Sequence, residues 1–236
     1  MSQIRLSAST LKLYLECPRC FWLHVNKKIE RPRGPFPSLP SGMDMVLKRY
    51  FDLYRRRGTL PPLIDGKLTG TLMKDTLTLG FTDDAIDGRI WGKLDDALIL
   101  PDGGYAPLDH KTRASAPNDA SYTEKYYKFQ MDVYTLLLER NGHPTSRTAY
   151  VIYYFPVEGT LHNGFPFQVA VHQIATDPDG AYRVFVNACR CLEGPLPPCG
   201  ELCEFCRWAS LVPPRAPDGV AARALSASTI PDDLFA

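Results

Sequence analysis

Two aspartates and a lysine in the middle of the chain have the types and spacing of a catalytic metal site. Asp109 and Lys111 are two residues apart in PLDHKT, and Asp95 lies earlier in GKLDDAL. Side chains alternate along a strand, so Asp109 and Lys111 project from one face while His110 points away. A hairpin would bring Asp95 alongside them. Carboxylate oxygens suit magnesium, and the lysine could orient or deprotonate a metal-bound water. The pattern therefore predicts a site for a divalent cation with a lysine beside its bound water.

The competing interpretation is that these are ordinary solvent-facing charges on an edge strand. Leu94 and Leu108 precede the acids, and further apolar residues continue the first segment. This context favours a sheet interior, where unpaired charge is costly and usually functional. Asp96 is a competing ligand, because a period of two cannot choose between Asp95 and Asp96.

The cysteines predict a second metal site. Cys17 and Cys20 form one C-x-x-C, and Cys203 and Cys206 form another. Two residues between thiolates let a tight turn present both sulfurs to one metal, and two such pairs complete tetrahedral coordination for zinc or for an iron–sulfur cluster. Cys199 is the alternate ligand. We expect this four-cysteine metal site to join the two ends of the chain.

Hydrophobic periodicity predicts the elements that position these residues. Helical spacing predicts four helices, over residues 6–24, 42–57, 122–141 and 179–192. The first is interrupted at Pro18, and Ser41 caps the second. Alternation predicts a three-stranded antiparallel meander between residues 72 and 112, then strands at 149–155 and 167–174. We therefore expect an α+β (α/β-like) domain with a mixed sheet over residues 1–212, followed by a disordered tail at 213–236.

The order of the motifs carries a family resemblance. G-x-x-D at Gly92 to Asp95, D-x-K at Asp109 to Lys111 and Q-x-x-x-Y at Gln130 to Tyr134 resemble the motifs of the PD-(D/E)XK nuclease superfamily. They resemble in particular its RecB-type branch, which includes CRISPR-associated adaptation nucleases and helicase-linked recombination nucleases. The resemblance implies a restriction-endonuclease-like core, with a helix that presents Gln130 and Tyr134 on one face.

The same resemblance implies a Mg²⁺- or Mn²⁺-dependent deoxyribonuclease. Asp95 and Asp109 would hold the metal, and the carbonyl of His110 would complete its shell. Lys111 would position the attacking water. The residues Gln130 and Tyr134 would contact water, metal or the phosphate backbone. The implied setting is DNA repair, recombination or CRISPR-type adaptation, with a helicase or another repair protein as partner.

One departure from the family pattern raises a second hypothesis. Many RecB-type enzymes carry a histidine ligand about four residues after a glycine on an early helix, but Val46 stands at that distance from Gly42. Asp44 could replace it, although a polar residue in a first helical turn is more often a cap or dipole partner. The alternative is therefore a catalytically inactive nucleic-acid-binding module of the same fold.

The cysteines also match this branch in part. In such relatives, one cysteine in an E-C-P context joins three near the C-terminus to hold a [4Fe-4S] cluster, and Glu16-Cys17-Pro18 resembles the first part of that frame. Here Cys20 adds a second N-terminal thiol, and the terminal spacing differs. The resemblance favours the iron–sulfur cluster, and zinc is the alternative.

Composition and charge limit the remaining possibilities for the class of protein, its localisation and its partners. A content of 44% hydrophobic and 11% aromatic residues argues against disorder, and without a long apolar run or a secretory signal core we expect a cytoplasmic protein. The net charge is +1, but residues 1–57 hold twelve basic and four acidic side chains. We expect the following to lie beside the catalytic cleft: Lys27, Lys28, Arg31, Arg33 and Arg55 to Arg57. The segment IPDDLF at 230–235 resembles peptides that dock on the bacterial sliding clamp.

Overall fold

The computed structural model describes residues 3–32, 34, 38–74, 78–162 and 164–212. By internal contacts the chain divides into one unit that ends at Cys203 and a second that starts at Glu204. Arg33, the predicted disordered tail and the clamp-like segment lie outside the described residues. Within these ranges, no helix combines the length and the apolar character needed to span a bilayer.

The first unit contains eight described strands and five described α-helices. The strands are β1 (Ile4–Ser7), β2 (Thr71–Leu72), β3 (Thr78–Asp83), β4 (Gly88–Lys93), β5 (Asp96–Ile99), β6 (Tyr105–Thr112), β7 (Thr148–Pro156) and β8 (Phe167–Ala175). The helices are α1 (Ala8–Glu16), α2 (Pro18–Lys27), α3 (Ser38–Arg57), α4 (Ala120–Arg140) and α5 (Pro178–Glu193). In the second unit, α6 covers Glu204–Leu211.

The strands form two mixed sheets. One has the order β1-β4-β3, with β1 parallel to β4 and β3 antiparallel to it. The other has the order β2-β5-β6-β7-β8, in which only the central β6–β7 pair is parallel among the described strands. The predicted α+β class with mixed strand directions is confirmed, although the strands make two sheets instead of one.

The five-stranded sheet is covered on both faces, which explains the apolar runs in its strands. One apolar cluster includes Val133 and Leu137 of α4 together with Val151 of β7. A separate cluster joins Phe51 of α3 to Leu108 of β6 and to neighbouring strand residues. Strand β6 therefore presents alternate side chains to different layers, and this alternation separates Asp109 from His110.

The predicted first helix is wrong in its bounds. Its first residues form β1, in which the fully buried Leu6 pairs in register with Ile90. The helical part then divides into α1 and α2. Cys17 caps α2, and Pro18 occupies a first-turn position. Proline is well suited to that position because it has no N–H to leave unbonded. Pro18 therefore starts a helix instead of interrupting one.

Two further predictions need correction. Helix α3 begins at Ser38, so Ser41 lies inside it and does not cap it. The predicted meander is also wrong, because the long middle segment divides at Leu94 and Asp95 into β4 and β5, which belong to different sheets. The helix near 122–141, the two later strands and the helix near 179–192 are confirmed with shifts of one or two residues. Helix α6 was not predicted.

Candidate active site

Asp109 lies at the centre of the candidate site, on β6 and only 1% exposed. Its Oδ1 accepts a hydrogen bond of 3.1 Å from Nε2 of Gln130. Its Oδ2 is in contact with the ammonium group of Lys111. Oδ2 and this ammonium group form an ion pair that lowers the pKa of Asp109 and opposes the effect of burial.

Burial raises the pKa of Asp109 to about 6. The positive charge of Lys111 opposes this rise, whereas the negative charge of Asp95 adds to it. Burial raises the pKa because a low-dielectric environment disfavours the ionised carboxylate, and the charge of Lys111 offsets this effect only in part. The carboxylate is thus held in the fold at an energetic cost.

Asp95 lies in the connection between β4 and β5, not within a strand. Its Oδ2 accepts a hydrogen bond of 3.4 Å from the backbone N–H of His110, which places its carboxylate beside β6. Its Oδ1 is 3.3 Å from Nζ of Lys48, and Lys48 also contacts Asp44 at 2.7 Å. Asp44 therefore lies near the site through Lys48. Sequence analysis missed Lys48, whose signal was its helical spacing from Asp44.

Gln130 and Tyr134 lie one turn apart on α4 and are connected to the same centre. Nε2 of Gln130 also donates to the Tyr134 hydroxyl at 2.9 Å, and that hydroxyl donates to the carbonyl of Lys93 at 3.3 Å. Burial raises the pKa of Tyr134 to about 12, so the phenol stays protonated at neutral pH. Gly92 permits this approach of α4, because a Cβ there would lie 3.2 Å from the Tyr134 ring.

Asp96 and His110 belong to the opposite side of the sheet. The His110 Nε2 atom is 3.1 Å from Oδ2 of Asp96, and its Nδ1 is 2.9 Å from the Tyr154 hydroxyl. Nε of Arg55 donates to Asp96 Oδ1 at 3.1 Å. These contacts satisfy Asp96 on the side of the sheet away from Asp109, whereas which aspartate binds a metal stays a prediction. The His110 imidazole also points away, as predicted; a role for its carbonyl stays a prediction.

A cleft of about 510 Å³ opens beside these residues. Lys111, Gln130 and Tyr134 line it, together with Ser7, Lys12, Trp91, Lys93, Tyr126 and Tyr127. The cations that the sequence placed here are not among the lining residues described. Arg31 pairs with Glu16, and Arg55 pairs with Asp96. The cleft cations Lys12 and Lys93 were missed, although Lys93 lies only two residues before Asp95.

The donor set fits a hard divalent cation. Asp95 and Asp109 offer carboxylate oxygens, and they lie close enough for the charge of Asp95 to raise the pKa of Asp109. Oxygen ligands are those that Mg²⁺ and Mn²⁺ prefer. Val46, at the position where a histidine ligand was expected, is 67% exposed and cannot serve.

Three of the predicted thiol ligands lie close together in the first unit. In the first unit, Sγ of Cys20 lies 3.6 Å from Sγ of Cys203, and the Sγ of Cys17 accepts a hydrogen bond of 3.2 Å from Gly200 N–H. Cys206 follows Cys203 by three residues. Within the first unit, the ligand atoms of Cys17, Cys20 and Cys203 all lie within 4.8 Å of one another; a ligand role for Cys206 stays a prediction. The alternate Cys199 is exposed and is not part of this group.

The surroundings of Cys17 favour a thiolate. Burial raises the pKa of this thiol, but hydrogen bonds from the backbone of Gly200 and Cys20 and from nearby thiols outweigh it, and the pKa falls to about 6. Arg31 adds a guanidinium N–H 3.6 Å from Cys203 Sγ. Gly200 is required here, because a Cβ would lie 2.6 Å from the Glu16 carbonyl. Thiolates are the form that binds zinc and iron.

Comparisons with known proteins bear on this arrangement. A family model described as the PD-(D/E)XK nuclease superfamily matches residues 65–211, more than half of the chain. The crystal structure of SSO0001 aligns with 90% of this chain and 87% of that chain, at 12% sequence identity and a TM-score of 0.41. Comparison with curated proteins gave no significant match. The mixed sheets and flanking helices are consistent with the restriction-endonuclease-like core predicted above.

Proposed function

Because this chain belongs to the PD-(D/E)XK nuclease superfamily, we propose that it is a metal-dependent nuclease that hydrolyses phosphodiester bonds in DNA. The observation that carries the proposal is the state of Asp109. This carboxylate is buried, its Oδ2 is paired with the Lys111 ammonium group, and the negative charge of Asp95 lies near enough to raise its pKa. A fold that needed only stability would gain from an apolar residue at this position.

In this proposal Asp95 and Asp109 hold Mg²⁺ or Mn²⁺, and the His110 carbonyl is a candidate third ligand. When bound, the metal would lower the pKa of a coordinated water and stabilise negative charge on the phosphoryl oxygens. Two neighbouring carboxylates, of which that of Asp109 is buried, support this assignment.

The chain's own residues would then orient the reactants. Lys111 projects into the cleft on the same face as Asp109, where its ammonium group can hold the attacking water or a phosphate oxygen. Gln130 fixes the Asp109 carboxylate through a hydrogen bond to Oδ1. The Tyr134 hydroxyl fixes Gln130 in turn. These contacts restrict the geometry before substrate binds, which is how orientation contributes to rate.

The test is a cleavage assay on labelled single- and double-stranded DNA with Mg²⁺ or Mn²⁺. We expect the wild type to cut, and Asp109→Asn and Lys111→Ala to lose activity. Asp65→Asn and Lys67→Ala are matched controls, because both residues are exposed and lie outside the site. Cleavage that persists in the Asp109 and Lys111 variants, or cleavage without added metal in EDTA, would refute the proposal.

One observation favours the alternative of an inactive DNA-binding module. The ammonium group of Lys48 is 3.3 Å from Asp95 Oδ1, where a positive charge competes with a metal ion. The expected histidine ligand is also absent at Val46. Titration of the metal-free protein with Mn²⁺ separates the two hypotheses. If the chain is a nuclease, it should bind Mn²⁺, and Asp109→Asn should abolish this binding. If it is an inactive module, it should bind DNA but neither take up Mn²⁺ nor cleave DNA.

We further propose that the four-cysteine group holds a [4Fe-4S] cluster and that the chain acts in DNA repair, recombination or CRISPR-type adaptation beside a helicase. The low pKa of Cys17 and the N–H donors around the sulfurs support a metal–thiolate site. Anaerobic purification followed by visible absorbance and metal analysis tests the cofactor. A brown protein with about four irons supports the cluster, and a colourless protein with one zinc supports the alternative.

A further inference from the structure

The three-stranded sheet has one buried face and one outward face. Alternation along β4 turns Ile90 and Gly92 inward, where they pack with the core beneath. The outward positions of the three strands are Arg5 and Ser7 on β1, Arg89, Trp91 and Lys93 on β4, and Thr78, Gly80 and Thr82 on β3. We call these residues the outer face.

Trp91 is the large aromatic residue of the outer face, and its side chain is 39% exposed. Its register partners are Ser7 on one side and Gly80 on the other, and neither has a side chain large enough to cover an indole ring. The space over Gly80 is occupied by the guanidinium of Arg89, since a Cβ on Gly80 would lie 2.6 Å from an Arg89 nitrogen. An exposed indole beside a cation therefore lies on a rigid strand.

The charges of the outer face all have one sign. Arg5, Arg89 and Lys93 are basic, and no carboxylate occupies an outward position on the described parts of these strands. Arg5 is directly opposite Arg89 in the β1–β4 register. Like charges at paired positions destabilise a sheet. A bound polyanion would relieve this repulsion.

The outer face is continuous with the cleft of the candidate active site. Ser7, Trp91 and Lys93 line that cleft together with Lys111. A strand of nucleic acid whose phosphate reached Lys111 would therefore pass next to Trp91.

We propose that the outer face binds an unpaired DNA strand that continues from the cleft, with a base stacked on Trp91 and phosphates contacted by Arg5, Arg89 and Lys93. The inference rests on the proposed function for the identity of the polynucleotide. Aromatic side chains stack on unpaired bases with little sequence preference, while basic residues follow the backbone. The bases of a duplex are stacked on each other and are not available to the indole. The outer face thus selects single-stranded over double-stranded DNA.

The test measures binding without cleavage. Fluorescence anisotropy of a labelled oligothymidine in EDTA gives the Kd of the full-length wild type, of Trp91→Ala and of Trp91→Phe. Trp91→Ala should raise Kd by about 5- to 160-fold, the range that loss of one stacked base produces. Trp91→Phe should restore much of the affinity. Phe167→Ala is the matched control, since Phe167 is 43% exposed on a strand of the other sheet and lies outside the cleft.

Salt dependence gives a second readout for the cations. Lys93→Gln should reduce the slope of log K against log salt by about 0.7, the value expected for one phosphate contact to a single strand. Duplex of the same length should bind more weakly than the single strand and should be insensitive to Trp91→Ala. The same binding assay is repeated with single-stranded RNA of matched length. Tighter binding to RNA would overturn the assignment to DNA.

The outcomes separate this inference from the proposed nuclease activity. If the wild type cleaves DNA but Trp91→Ala binds the single strand as tightly as the wild type does, the inference is refuted and the nuclease proposal stands. If no metal supports cleavage but single-strand binding still depends on Trp91, the inference stands and the nuclease proposal fails. Equal affinity for duplex and single strand would also overturn the inference.

Discussion

Replacing Asp109 by asparagine should stabilise the metal-free protein near neutral pH while removing its activity. The side chain of Asp109 is almost completely buried, and burial is the main reason why its pKa rises from 3.8 to about 6. The folded state therefore holds a proton on this group more tightly than the unfolded state does. Asparagine keeps the shape and remains neutral at every pH, so it avoids the desolvation penalty of a buried charge.

The sign and the size follow from linkage. Between the two pKa values the native state binds more protons than the unfolded state, so the free energy of unfolding falls as pH rises through this window. Each pH unit of difference in pKa corresponds to about 1.4 kcal/mol. The full effect is thus on the order of 3 kcal/mol, of which about 2 kcal/mol should appear between about pH 4.5 and 7.5.

Urea unfolding in EDTA at those two pH values measures the effect. The free energy of unfolding of the wild type should fall relative to that of Asp109→Asn by about 2 kcal/mol as pH rises. The exposed control Asp65→Asn should show no such difference. Mn²⁺ should restore the stability of the wild type but not of Asp109→Asn, because a ligand that binds only the native state stabilises it. The opposite result is that the free energy of unfolding of the wild type rises relative to that of Asp109→Asn as pH increases in EDTA. It would show that the folded state does not raise the pKa of Asp109.

Three other variants test separate parts of the structure. Lys111→Ala should lower kcat by at least about 100-fold; a lowered affinity for DNA with an unchanged kcat would contradict a role in orienting water. Cys203→Ser should lower Tm by roughly 6–12 °C, equivalent to about 3 kcal/mol, because structural metal binding is coupled to folding. This decrease should exceed that of Lys111→Ala. Equal melting temperatures for the two variants would argue against a structural metal site. Arg55→Met should lower the free energy of unfolding by about 3–5 kcal/mol, since it leaves the buried Asp96 without its cation, whereas the exposed Arg56→Met should change urea unfolding little.

The sequence predicted the parts of the site that depend on short-range periodicity. Alternation along β6 placed Asp109 and Lys111 on one face and His110 on the other, and the structure agrees. Helical spacing likewise placed Gln130 and Tyr134 on one side of α4, where they share a hydrogen bond. These relations are set by local backbone geometry, so they can be read without knowing the rest of the fold.

The relations that were missed depend on distant partners. β1 has only four residues, and it is a strand because it pairs with β4 more than eighty residues later. The choice between Asp95 and Asp96 was open because it depends on Arg55, which reaches Asp96 from α3. Charge counting placed basic residues of the first segment at the cleft, but Arg31 and Arg55 are neutralised by nearby acids. Pairing of this kind is set by tertiary packing, which a pattern along the chain does not encode.

Adjacent residues of β6 show why the two faces of this strand have different roles. On the face that carries His110, every polar partner is matched: the imidazole bridges Asp96 and Tyr154, and Arg55 neutralises Asp96. A satisfied network of this kind rigidifies the strand. On the other face Asp109 is equally buried, with Gln130 and the Lys111 ammonium group as its partners. Two lysines, Lys48 and Lys111, face three carboxylates there, those of Asp44, Asp95 and Asp109. The excess of negative charge on this face is best explained by a cation that binds there.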